Sequence, residues 1–396
     1  MVKDLTAVCS KGGFQLSKWM SNSRKVLASI PEERLSKATK DLNLDKDNLP
    51  VERTLGLHWC VESDAFMFKI AISERPHTRR GILSVISSIY DPLGFLSPLL
   101  LPSKLLLQEL CRRNIGWDNE MPQSLLCQWS EWLQDLNKVA MVKVDRCIKP
   151  KEFGKIELAQ LHHFSDASEC GYGTVSYLRL EDENKEVRLS FMLGKSRVAP
   201  LKQITIPRLE LAAAVLAVKI DKMLKKELQL DLAKSVFWTD SQTVLKYIAN
   251  DAKRFHTFDK TNRVSVIRDA TDVVQWRHIG TKLNPADDAS RGMSIEHFLK
   301  ANRWIQGPDF LLDVPEKWPH SYIDRGLKDD PEVKKDTVVV AAISKCSDSA
   351  THQLLNSFSD WRKLKTAVAW VLKFKEVLLK LKQHRKFIPV LIYFWD

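Results

Sequence analysis

Four carboxylates in the 396-residue sequence stand where chemistry can be done: Asp166 in FSDAS, Glu210 in PRLEL, Asp240 in WTDSQ and Asp287 in NPADDAS. Asp166 follows the apolar run Leu161-His162-His163-Phe164, and Asp240 follows Ser235-Val236-Phe237-Trp238. Both are therefore predicted at strand ends, where an α/β sheet keeps its chemistry. Glu210 falls in the first turns of a predicted helix whose start is marked by Thr205 and Pro207. Carboxylates alone make a set of hard oxygen ligands, suited to two Mg²⁺ or Mn²⁺ ions. A phosphodiester bridging such a pair is open to in-line attack by water.

Taken singly, an aspartate at a strand end is commonly a helix cap or a surface charge, so the weight rests on the four together. Lys195, Arg197, Lys202 and Arg208 lie in and just after a predicted long loop that precedes Glu210, and are candidate phosphate contacts. Ser241 is placed to cap the helix that follows Asp240, whose free amides would face an anion. Ser168, Gly171 and Gln242 lie close to the carboxylates in sequence and are candidate contacts to a bound substrate.

The elements that must position these residues fall in the stretch 155–300. Thr174 to Leu180 and Val187 to Leu193 flank the polar turn Glu181-Asp182-Glu183-Asn184-Lys185 and read as a hairpin. An Ala-rich helical face runs from Leu209 to Leu224, and a last strand is predicted from Val273 to Arg277. Three antiparallel strands, a helix and further strand-helix units make a mixed five-stranded sheet flanked by helices, an α/β class. No extended basic helix is evident between Asp240 and Trp276, and the preceding stretch offers Lys18, Arg24, Lys25, Arg79 and Arg80 as candidate contacts to an acidic partner.

That preceding stretch, 1–150, has hairpin-like alternation in Thr54-Leu55-Gly56-Leu57-His58-Trp59 and Ala65-Phe66-Met67-Phe68-Lys69-Ile70. Helical runs follow Arg79-Arg80 and, beyond the break Asp91-Pro92-Leu93-Gly94, continue through Pro102 to Gln108. Trp129 and Trp132 recur with leucines at helical spacing and read as core. The region 301–350 reads as a linker, and Trp361 to Lys386 interleaves apolar and basic residues as an amphipathic helix.

Length leaves room for about two or three domains. The net charge of +12 favours an acidic partner such as nucleic acid. Cys9, Cys60, Cys111, Cys127, Cys147, Cys170 and Cys346 show neither CxxC pairing nor histidine-linked spacing, which reads as reduced thiols of an intracellular protein, cytoplasmic or nuclear. No signal peptide and no bilayer-length apolar run are evident, and no membrane role is expected; the apolar run Phe387 to Trp395 is too short.

The combination FSDAS, KSRVAPLKQITIPRLELAA, FWTDSQTVL, WRHIG and NPADDASRG resembles the ribonuclease H domain of Pao (BEL-like) retrotransposon polyproteins. GGFQLSKW, TLGLHW, TRRGILSVISSIYDPLGFLSP and WDNEMP resemble the end of the preceding reverse transcriptase, a mainly helical thumb and connection remnant over 1–150. FSDWRKLKTAVAWVLKF, within 351–396, is similar to the truncated start of a pre-integrase segment. The resemblance implies a ribonuclease H-like domain at 155–300 that cuts the RNA strand of RNA/DNA hybrids by two-metal hydrolysis. Asp166, Glu210, Asp240 and Asp287 would hold two Mg²⁺ or Mn²⁺ ions, with Asp288 an adjacent rival for the fourth position. His278 would assist proton movement or release of metal and product. The implied partners are the hybrid and the rest of a retroelement polymerase and integrase; the polymerase's own paired-aspartate site is absent, so no polymerisation is expected. A different class of reading is a non-catalytic nucleic-acid-binding retrotransposon remnant. A third, the aspartic peptidase label attached to this region of Pao polyproteins, needs Asp-Thr-Gly or Asp-Ser-Gly, whereas here DAS, TDS and SDS lack the glycine.

Overall fold

The computed structural model describes residues 2–40, 42, 44, 47–54, 57–70, 74–150, 152–249, 258–301, 303–319 and 360–383. The chain opens with helices α1 (Val2–Lys11), α2 (Arg24–Ala28) and α3 (Lys37–Lys40). An antiparallel sheet follows, in the order β1 (Val51–Thr54), β2 (Leu57–Cys60), β3 (Ala65–Met67) and β4 (Lys143–Asp145). Between β3 and β4 run α4 (Arg79–Ser88), α5 (Ser97–Arg112) and α6 (Gln123–Leu136). The expected hairpin alternation is thus seated in a four-stranded sheet beside the helices, although Leu55 and Gly56 lie outside the described residues. Trp129 is core as expected, stacked on Trp132 with ring centroids 5.1 Å apart.

The second sheet has the order β7-β6-β5-β8-β9, built from β5 (Ile156–Ala167), β6 (Gly171–Asp182), β7 (Val187–Val198), β8 (Val236–Thr239) and β9 (Trp276–His278). The first three strands pair antiparallel, while β5, β8 and β9 are parallel, with Ser165 opposite Thr239 and Thr239 opposite His278. Alternation along β5 sends Leu161 and His163 towards helix α7 (Ile206–Glu227), where Leu161, Leu178, Leu216, Ile220 and Leu224 cluster. Phe164 points the other way, into a cluster with Phe95, Tyr177, Trp238 and Trp304. Full burial of each such aromatic contributes roughly 1.5–3 kcal/mol. Helices α8 (Gln242–Ala249) and α9 (Phe258–Arg268) link β8 to β9; α10 (Ala286–Arg291), α11 (Ile295–Ala301) and α12 (Arg303–Gln306) follow.

Several sequence expectations change. β7 runs on to Val198, so Lys195 and Arg197 stand on an edge strand rather than in a loop; Ser196 between them turns inward and donates to the carbonyl of Ala289. Val273 to Gln275 forms a single 3₁₀ turn capped by Asp272, because Gln275 bonds back to the Asp272 amide, and β9 starts only at Trp276. The expected linker from 301 is folded at its beginning. Trp304, Leu311 and Trp318 are buried in the same cluster as Phe164, and the Trp304 indole donates to the Phe95 carbonyl over 2.9 Å. Residues 320–359 lie outside the described residues, as do Cys346 and the run 384–396.

The expected boundary near 150 divides one core: Phe95 packs on Phe191 at 4.8 Å, and residues 1–335 form one compact unit. Gly94, with φ of +77°, lies so close to β7 that a Cβ there would meet the Gly194 carbonyl oxygen at 1.9 Å. A second unit, 336–396, contains the helix Trp361–Gln383, which carries the expected amphipathic stretch. Among the described residues no helix is long and apolar enough to cross a membrane.

Candidate active site

Because β5 and β8 are parallel and in register at Ser165 and Thr239, Asp166 and Asp240 leave the sheet at the same end, and His278 closes β9 beside them. Asn284 seats the following turn: its side chain donates to the Ser165 carbonyl over 3.2 Å and accepts from the Ala286 amide. That turn starts α10, which lies against β6 because Gly173 leaves room; a Cβ there would sit 2.6 Å from that of Ala289. Asp287 and Ser290 are thereby brought to Asp166, whose carboxylate accepts from the Ser290 hydroxyl.

Asp166 is 4% exposed. Burial first, then the neighbouring charges of Asp240 and Asp287, push its carboxyl up to about 8, against the lowering effect of Ser290. Glu210, on the second turn of α7, accepts from Ser241 over 2.6 Å. Burial and Asp240 raise its carboxyl while Ser241 lowers it. Ser241 also accepts from the Val244 amide, so it caps α8 as its position predicts while tying α8 to α7. Asp240 accepts from Thr281 over 2.8 Å through one oxygen; its other oxygen, Oδ1, is buried.

The adjacent aspartates separate in role. Asp288 is buried and gripped by the Arg303 guanidinium through two bonds, and burial raises its carboxyl in spite of Arg303. Asp287 faces the other carboxylates and pairs with Arg291, one turn along α10. Arg291 is held more firmly protonated by Asp287 first, and by Asp166 and Asp240 beyond it. Arg291, Ser290, Thr281 and Arg303 were not singled out from sequence, although Ser290 and Arg291 sit three and four residues after Asp287 in NPADDASRG, the spacing of neighbours on one helix face.

Lys195, Arg197, Lys202 and Gln242 are exposed, while Arg208 is half-buried and its carbonyl accepts from Arg263. Lys195 and Arg197 alternate with the inward Ser196 and so stand on the sheet face opposite α10. Ser168 is buried, donating to the Ser290 carbonyl and accepting from the amides of Cys170 and Gly171, so its hydroxyl is used inside the fold. Of the candidate grip residues, Arg24 bonds Glu62, Arg80 grips Asp118 through two bonds, and Arg79 stacks 4.0 Å over Trp117.

The donor set suits a hard divalent ion: all oxygen and crowded with negative charge. Convergence is incomplete, since among the described residues no group of three or more His, Cys, Asp or Glu comes close enough to hold a metal. Each of three carboxylates is engaged by a neighbouring side chain: Ser241 bonds Glu210, Thr281 bonds Asp240 and Arg291 bonds Asp287.

No curated protein matches the chain. Among solved structures it is similar to the N-terminal ribonuclease H domain of a Mycobacterium tuberculosis protein, at 13% identity over 33% of this chain and 94% of that one, with a TM-score of 0.23. It is also similar to ribonuclease H1 of the archaeon Halobacterium salinarum (14% identity, 37% of this chain, 99% of that one, TM-score 0.20). A foamy viral protease-reverse transcriptase solved with double-stranded DNA aligns at 14% identity over 56% of this chain and 37% of its own, with a TM-score of 0.21. The family model described as the Pao retrotransposon-like RNaseH-like domain matches residues 78–241, from the Thr78 cap of α4 through β5, β6, β7 and β8 to Ser241. Over residues 78–241 the chain is thus similar to the Pao retrotransposon-like RNaseH-like domain.

Proposed function

We propose that the chain is a retroelement-derived ribonuclease H that cleaves the RNA strand of RNA/DNA hybrids. The observation that supports this reading is that Asp166 and Asp240 leave two parallel strands at the same end, with Asp287 near enough for its charge to reach Asp166. Two Mg²⁺ or Mn²⁺ ions, when bound, would acidify the attacking water and steady the leaving 3′ oxygen. The chain's own residues would do the rest. Asp166, Glu210, Asp240 and Asp287 would hold the two ions. His278, at the end of the strand beside Asp240's, would move a proton during turnover. Lys195, Arg197, Lys202, Arg208 and Gln242 would meet the hybrid's backbone, and the setting would be intracellular, cytoplasmic or nuclear.

A second reading, a non-catalytic nucleic-acid-binding remnant, is favoured by one observation: the carboxylates do not converge as they stand. Incubation of a labelled hybrid with the full chain in Mg²⁺ or Mn²⁺, beside Asp240→Asn, separates the two. Cutting of the RNA strand that drops by about 10²-fold or more in the variant is expected. A folded wild type that binds hybrid without cutting it in either metal establishes the remnant instead.

A further inference from the structure

Asp287 is paired with a cation on its own helix. The Arg291 Nε donates to one carboxylate oxygen, and the Arg303 guanidinium lies 3.8 Å from the other. The two arginines differ in freedom. Arg303 is committed to Asp288 through two bonds and to the Lys282 carbonyl. The Arg291 side chain is 62% exposed while that of Asp287 is 20% exposed, so the guanidinium reaches solvent and the carboxylate it holds is largely shielded. Its neighbour Ser290 donates to Asp166, so the guanidinium stands at the rim of the carboxylate group, and its charge is felt by Asp166 and Asp240 as well as by Asp287. Inside that rim the Asp166 and Asp240 carboxyls are hydrogen-bonded to one another, through a shared proton that a bound cation would replace.

We propose that Arg291 is a positioning residue which, in the metal-free protein, supplies the site's counter-charge and holds Asp287 apart from the Asp166–Asp240 pair, so that a divalent ion must displace it before three carboxylates converge. This rests on the reading of the site as a divalent-cation site, and it accounts for donors of the right type that do not meet. Outward rotation of the Arg291 side chain would leave α10 in place, because that helix is seated by the Ser290–Asp166 bond, Asn284 and the Ala289–Gly173 contact, none of which involves Arg291.

The test is a titration of the full chain with Mn²⁺ in the absence of nucleic acid, followed by the electron paramagnetic resonance signal of the free ion. Arg291→Gln removes charge and grip together. Arg291→Lys keeps the charge but loses the planar fork that fixes Asp287. Tighter Mn²⁺ binding is expected in both, by about five-fold in the glutamine variant, the scale of one partly exposed ion pair. Affinity unchanged or weakened in Arg291→Gln overturns the proposal, as does the absence of any Mn²⁺ binding. Tightening in the glutamine variant alone reduces Arg291 to a nearby charge and overturns the positioning role. If the glutamine variant does not fold, the lysine variant carries the test. A wild type that binds Mn²⁺ through Asp240 but cuts no hybrid leaves this assignment standing while the nuclease reading falls. Normal cutting with Arg291 variants of unchanged affinity does the reverse.

Discussion

Asp166 couples folding to pH in the direction opposite to a salt-bridged acid. Its carboxyl lies near 8 when folded and near the model-peptide value of 3.8 when unfolded, so between those values the folded state binds the extra proton. The stability it contributes is complete below about 4 and is lost as pH rises through about 8; Glu210 and Asp288 are shifted in the same direction. The metal-free protein is therefore expected to melt at a lower temperature at pH 8.5 than at pH 6 (roughly the two sides of that rise), and Asp166→Asn to flatten the difference. Calorimetry in a chelating buffer checks this, and equal slopes in wild type and variant contradict it. At this scale the sequence shows what the strands dictate: Asp166 and Asp240 each end an apolar run, and parallel pairing aligns the ends. It does not show which of Asp287 and Asp288 faces inward, since that is decided by Arg303, fifteen residues away from Asp288.

Helix α10 is six residues long and carries no stability of its own, so its place comes from what it rests on. Gly173 is the floor under it. Gly173→Ala puts a methyl 2.6 Å from the Ala289 Cβ and must lift the helix, and with it Asp287 and Ser290. The expected outcome is a folded protein that loses most of its hybrid cleavage, by about 10-fold or more, with a smaller change in melting temperature, because an ångström-scale misplacement of a site residue weighs heavily on rate. Full activity in this variant would detach α10 from the site. Helix α7 was legible because Thr205 and Pro207 mark its start, and the Ala-rich face its length. The end of β7 was not, because Lys195-Ser196-Arg197 on an exposed edge has the polarity of a loop, while the inward turn of Ser196 depends on α10, almost a hundred residues away.

Across the whole molecule, the stretch before 150, the ribonuclease H-like sheet and residues 303–319 share one core. Trp304 is buried to 1% and reaches back to Phe95. Trp304→Ala is expected to cost about 3–5 kcal/mol in denaturant unfolding, and a chain cut after residue 300 to fail to fold. A truncated chain that unfolds cooperatively at the wild-type midpoint would contradict both. These contacts escaped sequence reading because each joins residues far apart: the run around Trp304 shows no periodicity of its own, and its partner lies two hundred positions upstream. The near-touching of Gly94 and Gly194 has a consequence for inheritance. No side chain at either position can absorb a mismatch, so a crossover between related elements that exchanged one stretch without the other would bring together backbones shaped for different partners. The two stretches should descend together, with break-points of recombination falling outside them, and Asp91-Pro92-Leu93-Gly94 would travel with the carboxylates as part of a single heritable block.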